Sequence, residues 1–536
     1  MTKRLTQFKE MASSANEPIA KIAAADLLPL PGIEQPAIPA PRPRWLETYD
    51  FSLDGFSDFE IPVPKTDEEK KRLVDGFFRG LEKLFDPQNN WTFVKAFRLS
   101  MEYCVRCQTC SEACHTYVGS GRQEVYRPTF RSEVVRRIYQ RYYTTGGKLL
   151  PAFYGADIEV NFKTVWRLLE LSYRCNLCRR CVMMCPVGVD NALIAREIRK
   201  LFSQELGIAP VELLKKGTRQ HLQVGSSTGM RPNAMKSLVS DMEDQIEEKI
   251  GRRIEIPVDK KGADILLIHN AGEFLSWPEN PAAFAILFDA AGINWTLSSE
   301  MLGYDGVNYG VWFDDVELAR IALRHLQIAK DLGVKKVVVG ECGHAHKAIM
   351  VITDRVFPQG LSLPEMPRES CLPLLYQIAK SGKVKFDPTR NNFPITLHDS
   401  CNVVRLMGIV KPQREIVKIV CAQPLREMSP HGVHNYCCGG GSGFAIMNSL
   451  NFADWRKNVS SRMKVQQILA AFNDVLDPSI NKYVIAACSN CKGTIRDAQA
   501  HYGLWDQYHI HYGGLVDLMV NAMADLPKPY LEWPEG

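Results

Sequence analysis

The chain has 536 residues, 46% of them hydrophobic, and its 65 basic and 60 acidic side chains leave a formal charge of +5. That length allows several domains and a large buried core, while so balanced a charge leaves no electrostatic footprint for nucleic acid or an anionic membrane. No window offers the ~18 or more apolar residues of a spanning helix, Met1-Thr2-Lys3-Arg4-Leu5 does not begin a secretory leader, and the 16 cysteines gather in C-x2-C groups that suit metal-bound thiolates of the cytoplasm better than disulfides.

Residues 1–66 read as an extended arm, because the prolines from Pro31 to Pro64 prevent regular helix or strand. Its aromatic residues Trp45, Tyr49, Phe51, Phe56 and Phe59 are costly to leave in water, so the arm is expected either as a disordered leader or laid along a partner subunit. A helix follows over Asp67–Phe85, with Leu73, Phe77, Phe78, Leu81 and Leu84 on one face at 3.6 spacing. Residues 67–205 are then expected to form a helical domain around two blocks of cysteines.

Cys104, Cys107, Cys110 and Cys114 form C-x2-C-x2-C-x3-C; Cys175, Cys178, Cys181 and Cys185 repeat it, closed by Pro186. Four thiolates so spaced converge on the corners of an iron–sulfur cubane, and the closing Cys-Pro is the fourth-ligand signature of two-cluster ferredoxins. By the crossing rule of such proteins, Cys185 completes the set of Cys104, Cys107 and Cys110, and Cys114 completes that of Cys175, Cys178 and Cys181. Structural zinc is the weaker reading, since it usually brings two separated pairs. The spacer between the blocks reads as helix over Phe130–Tyr143 and Phe162–Tyr173, which suggests the all-helical type of two-cluster [4Fe-4S] domain. The basic run Arg131, Arg136, Arg137 and Arg141 is expected on a solvated helix face.

After a linker (206–260), strand–helix alternation occurs twice: once in 261–355 and, past a second linker (356–393), again in 394–525, before a tail (526–536). Expected strands lie at 264–269, 335–340, 394–398 and 482–486, with helices at 281–291, 314–332, 412–420 and 451–472. The fold class is thus α + α/β: a helical ferredoxin domain followed by a duplicated α/β domain with parallel sheets. In the second repeat Cys401 follows the first strand, Cys437-Cys438-Gly439 the middle segment, and Cys488 and Cys491 the last strand. In the first repeat His269-Asn270-Ala271, Met301-Leu302-Gly303 and Glu341-Cys342-Gly343-His344-Ala345 stand at these places, so four of five thiolates are gone and only Cys342 survives.

The C…CCG…CxxC order resembles the cysteine-rich CCG domain of heterodisulfide reductases. The resemblance implies a noncubane [4Fe-4S] cluster on Cys401, Cys437, Cys438, Cys488 and Cys491, where a disulfide is bound and split. One intact CCG site, joined to an eight-cysteine ferredoxin domain and a long arm, is most similar to the DsrK-type catalytic subunit of the membrane-bound sulfite-reduction complex. That likeness implies a membrane cytochrome b partner with further subunits, a quinone pool, and a small cysteine-tailed sulfur carrier of the DsrC type as substrate. It also implies cytoplasmic placement with peripheral attachment to the membrane through those partners.

Leaving thiolates need protons, and His398, three residues before Cys401, and His434, three before Cys437, are the nearest donors in sequence. Each is read either as a proton-transfer group or as a hydrogen-bonded supporting one, as are His344 and His346 beside Cys342. Lys492 is read as tuning the charge of the reduced cluster, and Cys371 and Cys421 as ordinary buried cysteines. An alternative function uses the same domains only to relay electrons, as the iron–sulfur subunit of a flavin-dependent hydroxyacid or glycerol-3-phosphate dehydrogenase. Gly439–Gly443 is glycine-rich but lacks the strand–GxGxxG–helix context of a dinucleotide site.

Overall fold

A computed structural model of the chain describes residues 7–14, 17–39, 53–56, 61, 63–356, 366–447 and 452–534. Packing divides these into two compact units. The first takes residues 1–213, 312–314 and 436–466, and the second 214–311, 315–435 and 467–536. The segment 436–466, which carries Cys437 and Cys438, therefore packs with the helical part of the chain.

The first unit is built on α1 (Asp67–Phe85), α2 (Pro128–Tyr143), α3 (Phe162–Tyr173) and α4 (Asn191–Leu206). Helix α1 starts on a capping box, Thr66 Oγ1 accepting from the Glu69 amide and Glu69 Oε2 from that of Thr66. Its apolar face buries Leu73, Phe77, Leu81 and Leu84, as the periodicity predicts. Helix α4 packs against α1, α2 and α3. It is buried on nearly every side, so its charged residues must be paired. Accordingly Arg196 and Lys200 both bind Glu197, and Arg199 donates to the carbonyls of Ser172 and Cys175.

Two expectations change here. Arg131 and Arg136 of α2 lie in the interior, Arg131 donating to the carbonyl of Arg174 and Arg136 to that of Met101. Glu133, buried with them, pairs with Arg136 and Arg137, which lets the helix carry its cations inside. The described parts of the arm lie along helices of the chain itself. Arg167 Nη1 donates to the carbonyls of Glu10, Met11 and Ser13, and Arg462 to that of Leu28. Asp54 forms a fully buried pair with Arg174 and accepts from the Tyr126 hydroxyl. Trp45, Tyr49, Phe51 and Phe59 lie outside the described residues.

The second unit holds α5 (Pro232–Ile250), β1 (Ile265–Ile268), α6 (Glu279–Ala291), β2 (Trp295–Thr296), α7 (Asp315–Leu332), β3 (Lys336–Val339) and β4 (Arg368–Ser370). After these come α8 (Cys371–Lys380), β5 (Ile395–Leu397), α9 (Lys411–Val420), β6 (Lys482–Ile485), α10 (Ser489–Tyr502), β7 (Ile510–Gly513) and α11 (Leu515–Asn521). The strands form two all-parallel sheets, β2-β1-β3-β4 and β5-β6-β7. The register Ile265↔Lys336 in one sheet has its counterpart in Ile395↔Tyr483 in the other. The near-continuous Val/Ile/Leu runs of β1, β3 and β5 follow from burial on both faces. One apolar core spans both repeats: Leu267, Phe284 and Leu287 from the first pack in a cluster with Leu397, Leu515 and Met519 from the second. Among the described residues no helix is long and apolar enough to cross a membrane.

Candidate iron–sulfur and cysteine-rich sites

In both ferredoxin-type blocks the backbone turns left-handed at matching places. Arg106 and Gln108 have φ of 57° and 62°, and Leu177 and Arg179 have 49° and 61°. Such conformations cost of order 1–3 kcal/mol for a side-chain-bearing residue, and here they recur between the cysteines of both blocks. The electrostatics of those thiols report who neighbours whom. Burial pushes Cys110 up to about 12, and the charges of Cys104, Cys114, Cys185 and Cys107 push it further in the same direction. Burial also raises Cys181, with Cys178, Cys110 and Cys175 adding to it, and Cys114 is raised by burial with Cys178 among its neighbours. Cys114 and Cys185 thus both stand near Cys110, and Cys178 near Cys114. Thiols so crowded oppose each other's ionisation, which a set of cations at their centre would relieve. That donor set fits iron–sulfur clusters.

Cys437 and Cys438 are buried in the first unit. The amides of Gly439 and Gly440 point at their sulfurs, N···S 3.4 and 3.3 Å, an arrangement that favours thiolate. Gly439 has φ +96°, and a Cβ there would stand 2.6 Å from the Ser461 nitrogen, so only glycine fits. The loop is fastened by Asn176, which lies between Cys175 and Cys178. Its amide nitrogen donates to the carbonyls of Gly439 (2.7 Å) and Gly441 (3.3 Å). Its oxygen is held by Ser460 Oγ (2.9 Å) and His115 Nε2 (2.8 Å). A Cβ on Gly441 would be 2.7 Å from the Asn176 carbonyl and 3.6 Å from Cys437 Sγ. The CCG loop and the second ferredoxin block are thus in direct contact.

In the second unit Cys401 opens a short helix just after β5, and Cys488 caps α10 just after β6. Both lie at the carboxyl end of a parallel sheet, where open α/β folds place ligands. Cys491, one turn into α10, is buried, and a ring nitrogen of buried His398 lies within 4.8 Å of its sulfur. His434 is exposed. Cys342 is fully buried at the place in the first repeat that Cys488 holds in the second. Its sulfur accepts from the Ala345 amide (3.4 Å), and burial pushes its thiol up to about 12, the charge of Cys488 adding to the rise. His346 is bound to the Cys342 carbonyl and to Ser370 Oγ, and His344 to Asn490. Cys371 and Cys421 are buried, as read from sequence.

Residues 100–189 match the model of a 4Fe-4S dicluster domain and residues 395–496 that of a cysteine-rich domain, the CCG family. The chain is 27% identical to the Hdr-like menaquinol oxidoreductase iron-sulfur subunit 2 of Archaeoglobus fulgidus, over 80% of this chain and 81% of that one. It is also 27% identical to the corresponding iron-sulfur subunit of Archaeoglobus profundus, over 74% of each. A subunit of the dihydromethanophenazine:CoB–CoM heterodisulfide reductase of Methanosarcina barkeri is 24% identical, over 75% of this chain and 90% of that one. The chain is a heterodisulfide reductase-like iron–sulfur protein of the CCG type.

Two features of this heterodisulfide reductase-like protein escape its motifs. One is the Asn176 clasp, whose partners lie 263 and 265 residues further along the chain. The other is a buried ion pair in the second unit, Lys492 Nζ to Glu273 Oε2 at 2.5 Å. Lys492 adjoins Cys491, but Glu273 belongs to the repeat that has lost its thiolates. In sequence Glu273 carries no motif; only the need of a buried Lys492 for an anion points to it.

Proposed function

We propose that this protein is the catalytic iron–sulfur subunit of a membrane-associated complex that reduces, or forms, a disulfide or trisulfide on a small sulfur-carrier protein. Cys104, Cys107, Cys110 and Cys185 hold one cubane [4Fe-4S] cluster, and Cys175, Cys178, Cys181 and Cys114 the other. Cys401, Cys437, Cys438, Cys488 and Cys491 supply the ligands of a noncubane [4Fe-4S] cluster. Splitting a sulfur–sulfur bond takes two electrons and two protons, whereas iron–sulfur clusters pass electrons singly; a cluster held by the CCG cysteines would supply the one-electron chemistry at the substrate sulfur. The chain's own residues do the rest. The amides of Gly439 and Gly440 stabilise anionic sulfur, Asn176 keeps the CCG loop against the second ferredoxin block, and His398 beside Cys491 delivers a proton to a departing thiolate.

The observation that carries this reading is the clasp of Asn176 on Gly439 and Gly441, which brings Cys437 to the loop of Cys175 and Cys178. Electrons arriving in the ferredoxin part then need no further carrier. The relatives' names support a quinol-linked donor, so the partner is a membrane cytochrome b subunit, and the complex sits on the cytoplasmic face of the membrane. A DsrC-type carrier and a place in sulfite reduction complete the proposal. The test is paramagnetic resonance of the oxidised protein mixed with a thiol substrate. A new signal that is lost in Cys438→Ala supports the reading. No signal, with turnover dependent on an added flavoprotein dehydrogenase, assigns the chain to electron relay instead.

A further inference from the structure

Three carboxylates, Glu273, Glu341 and Asp517, are buried in the second unit, each at most 3% exposed, around the single ammonium of Lys492. Glu273 Oε2 holds that ammonium; its Oε1 has no hydrogen-bond partner among the described residues. Glu341 Oε1 accepts from the amides of Leu515 and Val516 at the start of α11 (3.0 and 3.1 Å). Asn280 Nδ2 bridges Glu341 Oε2 and Asp517 Oδ1, both at 3.1 Å. Fully ionised, three carboxylates and one ammonium would leave a buried charge of −2, a costly state in a low-dielectric interior. A proton on the set removes half of it. Glu279, an exposed residue that lines a surface groove with Lys249, Lys528 and Glu532, in turn feels the charge of Asp517. The set therefore reaches from the turn after Cys491 toward solvent.

We propose, building on the disulfide-reducing reading above, that Glu273 and Glu341, packed with Asp517 around Lys492, form a buried proton reservoir that takes up one proton as the neighbouring cysteine site accepts an electron. When the sulfur–sulfur bond of the substrate breaks, two electrons come from the iron–sulfur relay and two protons are needed for two thiols. The reservoir supplies one and refills from water by way of Glu279; the other comes from solvent.

The groups facing Glu273 set its behaviour. Burial pushes its carboxyl up to about 8, Lys492 pulls it down, and the charges of Glu341 and Asp517 push it up. Glu341 is likewise pushed up to about 7 by burial, with Lys492 opposing and Asp517 adding. The thiols of Cys342 and Cys371 also sense Glu273, and both are raised by burial, so they stay protonated. His269, held down to about 3 by burial and by Lys492, stays neutral and adds no charge. Below about pH 7 Glu273 and Glu341 already hold their protons, so reduction takes up none. Above that range reduction draws a proton in.

A redox titration of the full protein, followed by the paramagnetic signal of the C-terminal cluster from pH 6 to 9, tests this. The midpoint potential is expected to be flat at the acid end. It should then fall with a slope approaching ~59 mV per pH unit, the value for a tenfold change in proton activity in a one-electron couple. Glu273→Gln, which keeps the shape and cannot titrate, should flatten the slope with iron content unchanged. Glu341→Gln should move the onset of the slope, and it serves if the first variant loses iron. An infrared difference spectrum between oxidised and reduced protein should show a carboxylic acid band that Glu273→Gln lacks. A wild-type slope retained in both variants, or no acid band, overturns the reservoir. A protein with no C-terminal paramagnetic signal at all overturns the disulfide-reducing reading instead.

Discussion

The two α/β repeats share strand order and direction, yet the residues just past their strands have gone different ways. In the second repeat they are Cys401, Cys488 and Cys491. In the first they are Asn270, Cys342 and Ala345, and what they do is hold the second repeat in place. Asn270 donates to Ser489 Oγ (3.0 Å), and His344 is bonded to Asn490, the residue at its own matching position. Gly343 leaves room where a Cβ would lie 3.0 Å from Cys488 Sγ. The first repeat thus forms a wall beside the cysteines of the second, and its buried Glu273 pairs with Lys492 of the second. A lost ligand set can leave behind a supporting role that selects for shape and polarity.

That contrast can be broken experimentally. The largest effect is expected for Cys491→Ala: iron should drop from about 12 to about 8 per chain, one four-iron cluster fewer, and disulfide turnover should vanish. Full iron retention would remove the reason for treating the second repeat as special. Next is Gly439→Ala, which puts a Cβ 2.6 Å from the Ser461 nitrogen at φ +96°. Strain of that kind should lower stability by about 3 kcal/mol in denaturant titration. The matching Gly303→Ala in the first repeat meets the Ser298 side chain (Oγ 2.5 Å, Cβ 2.8 Å) without a positive φ, and should cost less, about 1–2 kcal/mol. Asn176→Ala removes the clasp on the carbonyls of Gly439, which keeps Ser460 Oγ (3.1 Å), and of part-buried Gly441, and should cost about 1 kcal/mol. It should also slow reduction of the C-terminal cluster in stopped-flow more than that of the two upstream clusters. Smallest is Cys342→Ser, since the Ala345 amide can serve a hydroxyl as it serves the thiol. Iron should stay near about 12 per chain and stability within about 1 kcal/mol.

Helices with an unambiguous apolar stripe and a cap were legible at both ends: Asp67–Phe85 and Phe162–Tyr173 stand where the periodicity predicts them. The four strands expected from apolar runs are present, trimmed by a residue or two, as β1, β3, β5 and β6. Missed were β2, β4 and β7, short segments that become strands only because β1, β3 and β6 offer an edge. Arg131 and Arg136 were misread because a charge on a helix is exposed by default. The carbonyls and the carboxylate that admit them to the interior lie on other turns or elsewhere in the chain. The cysteine motifs were plain, since spacing alone carries them. Asn176 was not, because a side-chain amide holding carbonyls so distant in sequence leaves no local pattern.

The grouping of residues 436–466 with the ferredoxin half has a bearing on how the protein is made. As the ribosome releases the chain, Tyr126 waits for Trp455, whose indole nitrogen donates to its hydroxyl, and Arg199 waits for Ser442. The N-terminal half thus completes its packing only after that late segment has been made, and a cluster on the two upstream cysteine blocks would have most of synthesis in which to be inserted.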